Sequence, residues 1–203
     1  MPQTQKPEVR DRILAAASDE FYDHGFDGAT LAGIARRAGT ATANIYRYVP
    51  DKVALFEAVI TDEFVAHLDD LIARRVAALT EPLDAAPAAD ELLGFWLTHR
   101  RQVATLLDHT GPTRRGAYPQ HFVTQLVDHL EASAPRPLSA HERALAALVF
   151  DNTRRAIVAM LRLDLDDDAT RHLIGGFWSY QLPGLDGLRA WIAEAGEPSP
   201  HGR

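Results

Sequence analysis

Apolar residues recur at helical spacing along almost the whole chain, and this pattern limits the fold more than any other feature. The segment from Val9 to His24 is an example, with its apolar face formed by Ile13, Ala16, Ala17 and Phe21. No segment alternates apolar and polar residues as a half-buried strand does, and no internal repeat is present. The sequence therefore predicts an all-α fold.

Composition narrows the class of protein. The chain has 203 residues, of which 46% are hydrophobic, so it has enough apolar material for a globular core. It contains no cysteine, which excludes disulfides, thiolate metal sites and a cysteine nucleophile. The first residues do not resemble a signal peptide, and no apolar run approaches the roughly 18 residues of a membrane span. We expect a cytoplasmic protein with no membrane partner.

Short helices with clear start and stop signals follow the first one. Gly25 is suited to ending the first helix, and Thr30 is a good N-cap for the second. Gly39 breaks the second helix after about two turns, and a third runs from about Ala41 to Tyr48. Two short helices joined by a glycine-containing turn are typical of a helix-turn-helix DNA reader.

The third helix carries residues suited to reading DNA. Ile45 and Val49 anchor it inward, which leaves Thr42, Asn44, Tyr46 and Arg47 largely outside. Arginine can bind guanine, asparagine can pair with adenine, and hydroxyl groups suit phosphate oxygens. Lys52 begins the next helix, predicted from Asp51 to Leu79, where a phosphate would meet a cation and a helix N-terminus.

Charge supports the same interpretation, although simpler roles stay open. The net charge is −7, yet residues 1–52 hold seven basic and seven acidic residues, so the remainder carries the whole negative excess. Tyr48 could be mostly core rather than a phosphate contact, and Asn44 could face solvent. Arg36 and Arg37 could form an ordinary solvated face rather than phosphate clamps.

The segment ILAAASDEFYDHGFDGATLAGIARRAGTATANIYRYVPDKVALFEAVI resembles the N-terminal domain of TetR-family transcriptional regulators. Its densest match is Ile45-Tyr46-x-Tyr48-x-x-x-Lys52 leading into Leu55-Phe56. The resemblance implies an N-terminal DNA-binding domain, a helical regulatory domain and a homodimer. It also implies DNA contacts at Thr30, Thr42, Ala43, Tyr46, Arg47, Tyr48 and Lys52. Val49 and Asp51 depart from the usual pattern, which leaves the operator sequence unreadable.

These signals divide the chain into three parts. Residues 7–52 are expected to form the helix-turn-helix domain, residues 53–196 the regulatory and dimerisation domain, and residues 197–203 a flexible tail. The predicted helix around 140–162 is apolar on more than one side, and the predicted helix around 168–181 carries large aromatic side chains, which favours burial of both against a second subunit. The resemblance implies the same pairing as a four-helix bundle.

A small-molecule site is harder to predict. Apolar side chains with a few polar groups suit a pocket, and the candidate ligand-binding residues are Trp96, His99, Phe122, Phe150, Asn152 and Arg155. The same residues would equally suit a core with satisfied polar groups. For Asn152 and Arg155 an interface role is a further alternative.

Other chemistries lack support in the sequence. The histidines do not have metal-binding spacing, and the acidic run from Asp164 to Asp168 is better explained as a turn before a helix. No nucleophile elbow, phosphate loop or dinucleotide fingerprint is present. We expect no cofactor, no metal and no catalytic residue.

The leading hypothesis is a dimeric repressor that binds a palindromic double-stranded operator and is released by a small molecule. A helical module that binds a small molecule or protein without binding DNA is the alternative from another class. Activation rather than repression is the alternative within the same class.

Overall fold

The structure is a computed structural model that describes residues 7–78 and 87–194, and these residues form ten helices and no strand. The all-α prediction is confirmed. The predicted tail, 197–203, lies outside the described residues. The helices are α1 (Pro7–Gly28), α2 (Leu31–Arg37), α3 (Thr42–Ile45), α4 (Lys52–Val59), α5 (Asp62–Ala77), α6 (Pro87–Thr98), α7 (Arg100–Leu107), α8 (Tyr118–Ala132), α9 (Ala140–Leu161) and α10 (Asp167–Glu194).

The chain divides into two compact units. The N-terminal unit combines Met1–Asp70 with Thr98–Pro119, and the C-terminal unit combines Leu71–Leu97 with Gln120–Arg203. The N-terminal unit therefore contains α1 to α4, the first half of α5, and α7. The division expected for function, between residues 52 and 53, stays a prediction.

An aromatic cluster forms the centre of the N-terminal unit. The rings of Phe21, Phe26 and Phe56 have centroids 5.1–6.0 Å apart, and all three side chains are buried. Around them α1 packs against α2, α4 and α7. Gly25 has φ +66°, and this glycine conformation kinks α1 and directs Phe26 into the cluster. The helices of the helix-turn-helix thus pack on a close-packed aromatic core.

Local capping signals agree with the structure. The Thr30 hydroxyl oxygen accepts a hydrogen bond from the Gly33 N–H (2.9 Å), and an Asp51 carboxylate oxygen accepts one from the Ala54 N–H (2.7 Å). Ser139 and Glu142 form a reciprocal capping box at the start of α9. Each satisfies backbone donors that a helix start leaves without partners.

Helix continuity was predicted less well. The single helix expected over 51–79 is wrong: Ile60 leaves the helical conformation, and the Thr61 hydroxyl caps α5 by accepting from the Phe64 N–H (3.2 Å). The apolar spacing also predicts one helix over 90–108, which the structure splits at His99 into α6 and α7. Conversely, the apolar spacing predicts separate helices over 169–181 and 186–195, but the structure has one helix there, because α10 continues through Pro183.

The C-terminal unit is built around α8, α9 and α10. One core cluster joins Val127 and Leu130 of α8, Phe150 of α9, and Leu185 and Ile192 of α10. The Arg136 guanidinium binds both Glu142 carboxylate oxygens (2.9 and 2.7 Å) and also the Ile192 carbonyl oxygen (3.0 Å). It therefore fastens the start of α9 to the last turn of α10.

Candidate nucleic-acid interface and effector cavity

Buried side chains anchor the helix-turn-helix segment to the core of the N-terminal unit. Ile34 of α2 and Ile45 of α3 are fully buried, and Gly39 takes φ +62° in the turn between the two helices. Helix α3 is shorter than the predicted 41–48. After Ile45 the chain tightens into a turn, in which the Tyr48 N–H bonds the Ile45 carbonyl oxygen (2.8 Å).

The opposite side of this segment carries polar side chains toward the surface. Ala43, Tyr46 and Arg47 are exposed, and the Tyr46 side chain is 57% exposed despite its large ring. Thr42 and Asn44 are half-buried, and the Asn44 amide donates to the Thr40 hydroxyl oxygen (2.8 Å). An exposed tyrosine and arginine beside a buried isoleucine give this segment one anchored face and one exposed face.

Two sequence-predicted DNA contacts also have structural partners. Thr30 caps α2 through its oxygen and keeps a hydroxyl proton to donate. The Lys52 ammonium lies against the carbonyl oxygens of Phe26 (2.7 Å), Ala29 (3.0 Å) and Asp27 (3.3 Å), and 4.6 Å from the Phe26 ring centroid. Lys52 therefore holds the end of α1 to the start of α4. Tyr48 is half-buried, between the two roles left open for it.

An internal ion pair that sequence reasoning missed holds α2 to α1. The Arg37 guanidinium binds the carboxylates of Glu20 and Asp23 (2.7 Å each), and Glu20 is buried. Its hydrogen bond to Asp23, together with Glu20, raises the pKa of Arg37. A side chain at Gly33 would overlap the Glu20 carboxyl group. Arg37 thus orients α2 through this ion pair, and Arg36 and Arg37 are both exposed to solvent.

An apolar cavity lies within the C-terminal unit. About 80 Å³ of space within it is accessible to water. Its described lining residues are Ile72, Arg75, Val76, Trp96, Phe122, Leu126, Phe150, Thr153, Ile157, Trp178, Gln181, Leu182 and Leu185. The second half of α5 and helices α6, α8, α9 and α10 all contribute to this wall.

Polar groups are concentrated on a few of these residues. The Arg75 guanidinium lies 5.6 Å from the Trp178 ring centroid, and the Trp96 and Trp178 centroids are 5.7 Å apart. Buried Trp96 Nε1 and Gln181 Oε1 have no hydrogen-bond partner. Thr153 donates to the Val149 carbonyl oxygen and accepts from the Gln181 amide. One donor and one acceptor at the cavity therefore lack partners within the described chain.

Comparison with known proteins decides the family. A model of the family described as "Bacterial regulatory proteins, tetR family" matches residues 13–59. The HTH-type transcriptional regulator BetI of Escherichia coli O45:K1 (strain S88) is 30% identical over 196 residues, with 86% of this chain and 96% of BetI covered. The chain belongs to the tetR family. The resemblance found in the sequence is thereby confirmed.

Two further comparisons cover different shares of the chain. An HTH-type transcriptional regulator of Mycobacterium bovis, Mb2274c, is 40% identical over 66 residues, which span 32% of this chain and 35% of that protein. The crystal structure of a TetR-like transcriptional regulator from Rhodococcus sp. RHA1 has a TM-score of 0.54 at 20% identity and covers 96% of this chain and 100% of its own. This second likeness supports the fold: an N-terminal helix-turn-helix followed by a helical C-terminal region.

Membership of the TetR family fixes the class of activity. The chain is a DNA-binding transcriptional regulator and not an enzyme. Within residues 7–78 and 87–194, no helix is long and apolar enough to cross a membrane. The same residues contain no group of three histidine or acidic side chains placed to hold a metal ion.

Three of the six predicted ligand-binding residues meet at the cavity of this TetR-family protein: Trp96, Phe122 and Phe150. The other three are not among its described lining residues. His99 belongs to the N-terminal unit, where its ring packs edge-on against Phe64 (5.5 Å), and Asn152 and Arg155 are exposed on α9. Arg155 forms an ion pair there with Asp151 (2.7 Å).

Sequence reasoning also missed polar residues of the cavity, above all Arg75 and Gln181. A signal for Arg75 was available, because it falls at helical spacing on the apolar stripe of Leu68, Leu71 and Ile72. A charged residue on such a stripe is unusual and indicates a special environment. Gln181 had no comparable signal, since its position depends on α10 continuing through Pro183.

Proposed function

We propose that this protein is a repressor that binds a palindromic operator as a homodimer and leaves it when a small molecule enters the C-terminal cavity. The observation that carries the proposal is the joint exposure of Tyr46 and Arg47 beside fully buried Ile45. A buried anchor fixes the segment, and exposed hydrogen-bonding side chains suit the major groove. Because operators lie on chromosomal DNA, we place its action in the cytoplasm.

The DNA-reading set in this proposal has its centre at Arg47. Arg47 would bind a guanine edge or a phosphate, and Thr42, Asn44 and Tyr46 would complete the contacts in the groove. Thr30, Ala43 and Tyr48 would lie against the sugar–phosphate backbone around them. Lys52 would act chiefly through the three carbonyl oxygens that it holds, which fix the loop before Thr30.

Homodimerisation through α9 and α10 has support in the exposed surface of both helices. Leu148 of α9 is 66% exposed and Tyr180 of α10 is 81% exposed, and Leu145 is exposed one turn before Leu148. Asn152 and Arg155 continue the exposed side of α9. Large apolar side chains in such positions are typical of a subunit interface. Two-fold symmetry would then match a palindromic operator.

Release by an effector would act through α5. Its first half belongs to the N-terminal unit, while Ile72, Arg75 and Val76 in its second half line the cavity. A ligand that favours one position of α5 would change the separation of the two reading segments, which must be about 34–36 Å to enter successive grooves. The ligand shifts this equilibrium only by its difference in affinity for the two states.

The direct test measures binding to the DNA that flanks the gene, at several salt concentrations. Arg47→Ala should weaken specific binding by about tenfold or more and lower the slope of log affinity against log salt by about one. Arg101→Ala is the matched control, because Arg101 is also an exposed arginine of the N-terminal unit but lies on α7, paired with Asp19 (2.8 Å). It should leave both quantities unchanged.

The alternatives have distinct outcomes in the same experiment. A helical binding module without operator binding would show no salt-sensitive DNA affinity in the unaltered protein, and equal behaviour of both variants would remove Arg47 from the reading set. The cavity is the observation that favours such a module. Transcription from the bound promoter in a purified system separates repression from activation.

A further inference from the structure

One short segment of the chain, residues 110–118, crosses the bend between α4 and α5. We propose that this segment is a clamp that fixes the angle of the bend, and thereby the separation of the two DNA-reading segments in the proposed dimer. Arg114 and Arg115 are its positioning residues. The inference rests on the proposed function and adds what sets the geometry of the dimer on DNA.

The bend interrupts the helical backbone completely. Ile60 has φ −110° and ψ 84°, and Thr61 caps the start of α5. Residues at helix ends absorb the changes of backbone angle in hinge motions. With 16 residues α5 is about 24 Å long, so a change of about 10° at its start displaces its end by about 4 Å, more than the rise of one base pair, about 3.4 Å. Operator binding is therefore sensitive to this angle.

The two arginines pair with carboxylates on both sides of the bend. Arg114 binds the Glu57 carboxylate of α4 through its side-chain Nε (3.0 Å) and its backbone N–H (3.1 Å). Asp62, the first residue of α5, binds the Arg115 guanidinium and lies 3.6 Å from that of Arg114. The hydrogen bond from Arg115, together with the charge of Arg114, lowers the pKa of Asp62. The last turn of α4 is thus tied to the first turn of α5.

The partly buried ends of this network make it more than a surface ion pair. Arg114 and Asp62 are 61% and 64% exposed, and an isolated pair so exposed contributes little. Glu57 and Arg115 are only 19% and 15% exposed, however. The bond from the Arg114 backbone to Glu57 also needs no ordering of a long side chain. Several linked contacts, two of them shielded, therefore hold the bend together.

Hydrogen bonds within residues 110–118 hold the arginines in place. The buried Thr110 hydroxyl donates to the Arg115 carbonyl oxygen (2.7 Å), and the Thr113 hydroxyl donates to the Thr110 carbonyl oxygen (2.9 Å). At the end of the segment the Tyr118 hydroxyl donates to the Asp69 carboxylate (2.7 Å), two turns beyond the start of α5. The segment therefore contacts α5 at two points and α4 at one.

Operators that differ in the spacing of their half-sites test the clamp. The palindrome located by footprinting in the DNA that flanks the gene is used unchanged, with one base pair added or removed between half-sites, and with one half-site scrambled. The unaltered protein should bind the natural spacing about tenfold or more tightly than either altered spacing. Asp62→Asn should weaken binding at the natural spacing about tenfold and bring all three spacings within about threefold. Its affinity for the single half-site should stay within about twofold, because the reading segment is unchanged.

Glu63→Gln is the matched control for Asp62→Asn. Both residues are exposed carboxylates in the first turn of α5, so both variants change the net charge and the helix start equally. Glu63→Gln should keep the spacing preference, and light scattering should give the same mass for both variants. Glu57→Gln and Arg114→Met should each reduce the preference, and the double variant should be no worse than Arg114→Met, because both changes remove the same contact.

The outcomes separate the clamp from the function on which it rests. Equal affinity of the unaltered protein for the three spacings, an unchanged preference in Asp62→Asn, or equal weakening of Asp62→Asn on every DNA including the single half-site would overturn the clamp while DNA binding stands. If the unaltered protein shows no salt-sensitive binding to the flanking DNA, or binds it only as a monomer, the proposed function is wrong and the clamp is wrong with it.

Discussion

At the scale of single residues, the sequence predicts which side chains lie at a helix start better than it predicts the atoms that those side chains bind. Lys52 was expected to meet a phosphate because it is a cation at a helix start, yet its ammonium lies against three backbone carbonyl oxygens at the end of α1. That partner depends on how the chain near Phe26 returns toward α4, which no local pattern encodes. Thr30 and Asp51 were predictable because a cap bonds only three residues away.

Substitutions at two glycines with similar backbone conformations distinguish the cost of backbone strain from the cost of steric overlap. Gly39 and Gly111 have φ +62° and +59°, but nothing lies near a side chain at Gly39, whereas one at Gly111 would overlap the Phe26 ring. Gly39→Ala should cost about 1–2 kcal/mol of unfolding free energy through the backbone alone. Gly111→Ala should cost about 1–3 kcal/mol more, because it forces apart the aromatic cluster.

Urea unfolding at equilibrium measures both variants in one experiment. The difference between Gly111→Ala and Gly39→Ala isolates the contact with Phe26, since the backbone term is common to both. Equal costs would show that the segment around Gly111 does not pack on Phe26 in solution.

At the scale of helices, the structure separates what was predictable from what was not. The apolar periodicity identified nearly every helical segment, and Ser139-x-x-Glu142 is itself a capping-box pattern that marks the start of α9. The break before α5 was missed although Thr61-Asp62-Glu63 is itself a start signal, because the apolar stripe continues on both sides of it. Helix α10 runs through Pro183, and Leu185 and Ile192 beyond it pack into the core of the C-terminal unit.

The start of α9 carries a prediction about pH. The Arg136 guanidinium and the Ser139 cap lower the pKa of Glu142 to about 2, from an ordinary value of 4.5. A lowered folded-state pKa stabilises the protein fully above the unfolded value and loses that contribution as pH falls from 4.5 to about 2. Glu142→Gln should therefore lower the thermal midpoint at pH 7, and the difference from the unaltered protein should shrink below pH 4.5.

Thermal unfolding followed by circular dichroism across this pH range provides the measurement. Asp164→Asn, in the exposed turn after α9, removes a carboxylate without a helix cap and should give a small difference at every pH. A Glu142→Gln deficit of the same size at pH 7 and pH 3 would contradict the assigned role of the carboxylate.

At the scale of the whole molecule, the exposed surface of α9 and α10 predicts the self-association on which the proposed operator binding depends. Leu148→Glu places a charge on the exposed apolar side of α9. It should convert the proposed dimer to monomer at micromolar concentration, because burying an unpaired carboxylate opposes the interface. Operator affinity should fall by about a hundredfold or more, since each subunit would then bind only one half-site.

Light scattering after gel filtration determines the oligomeric state. Leu163→Glu changes another exposed leucine, in the turn beyond α9, and should leave both mass and operator affinity unchanged. A dimer that survives Leu148→Glu would exclude this surface as the interface.

The N-terminal unit is formed by two separate segments of the sequence, and this limits when it can finish folding during synthesis at the ribosome. The first segment ends at Asp70, and the second runs from Thr98 to Pro119. Helix α1, in the first segment, packs against α7, in the second. Residues near the start of the chain must therefore wait until about 119 residues have emerged before their packing is complete. A nascent chain stopped at Asp70 would hold every residue of the helix-turn-helix and still lack the helix that covers α1.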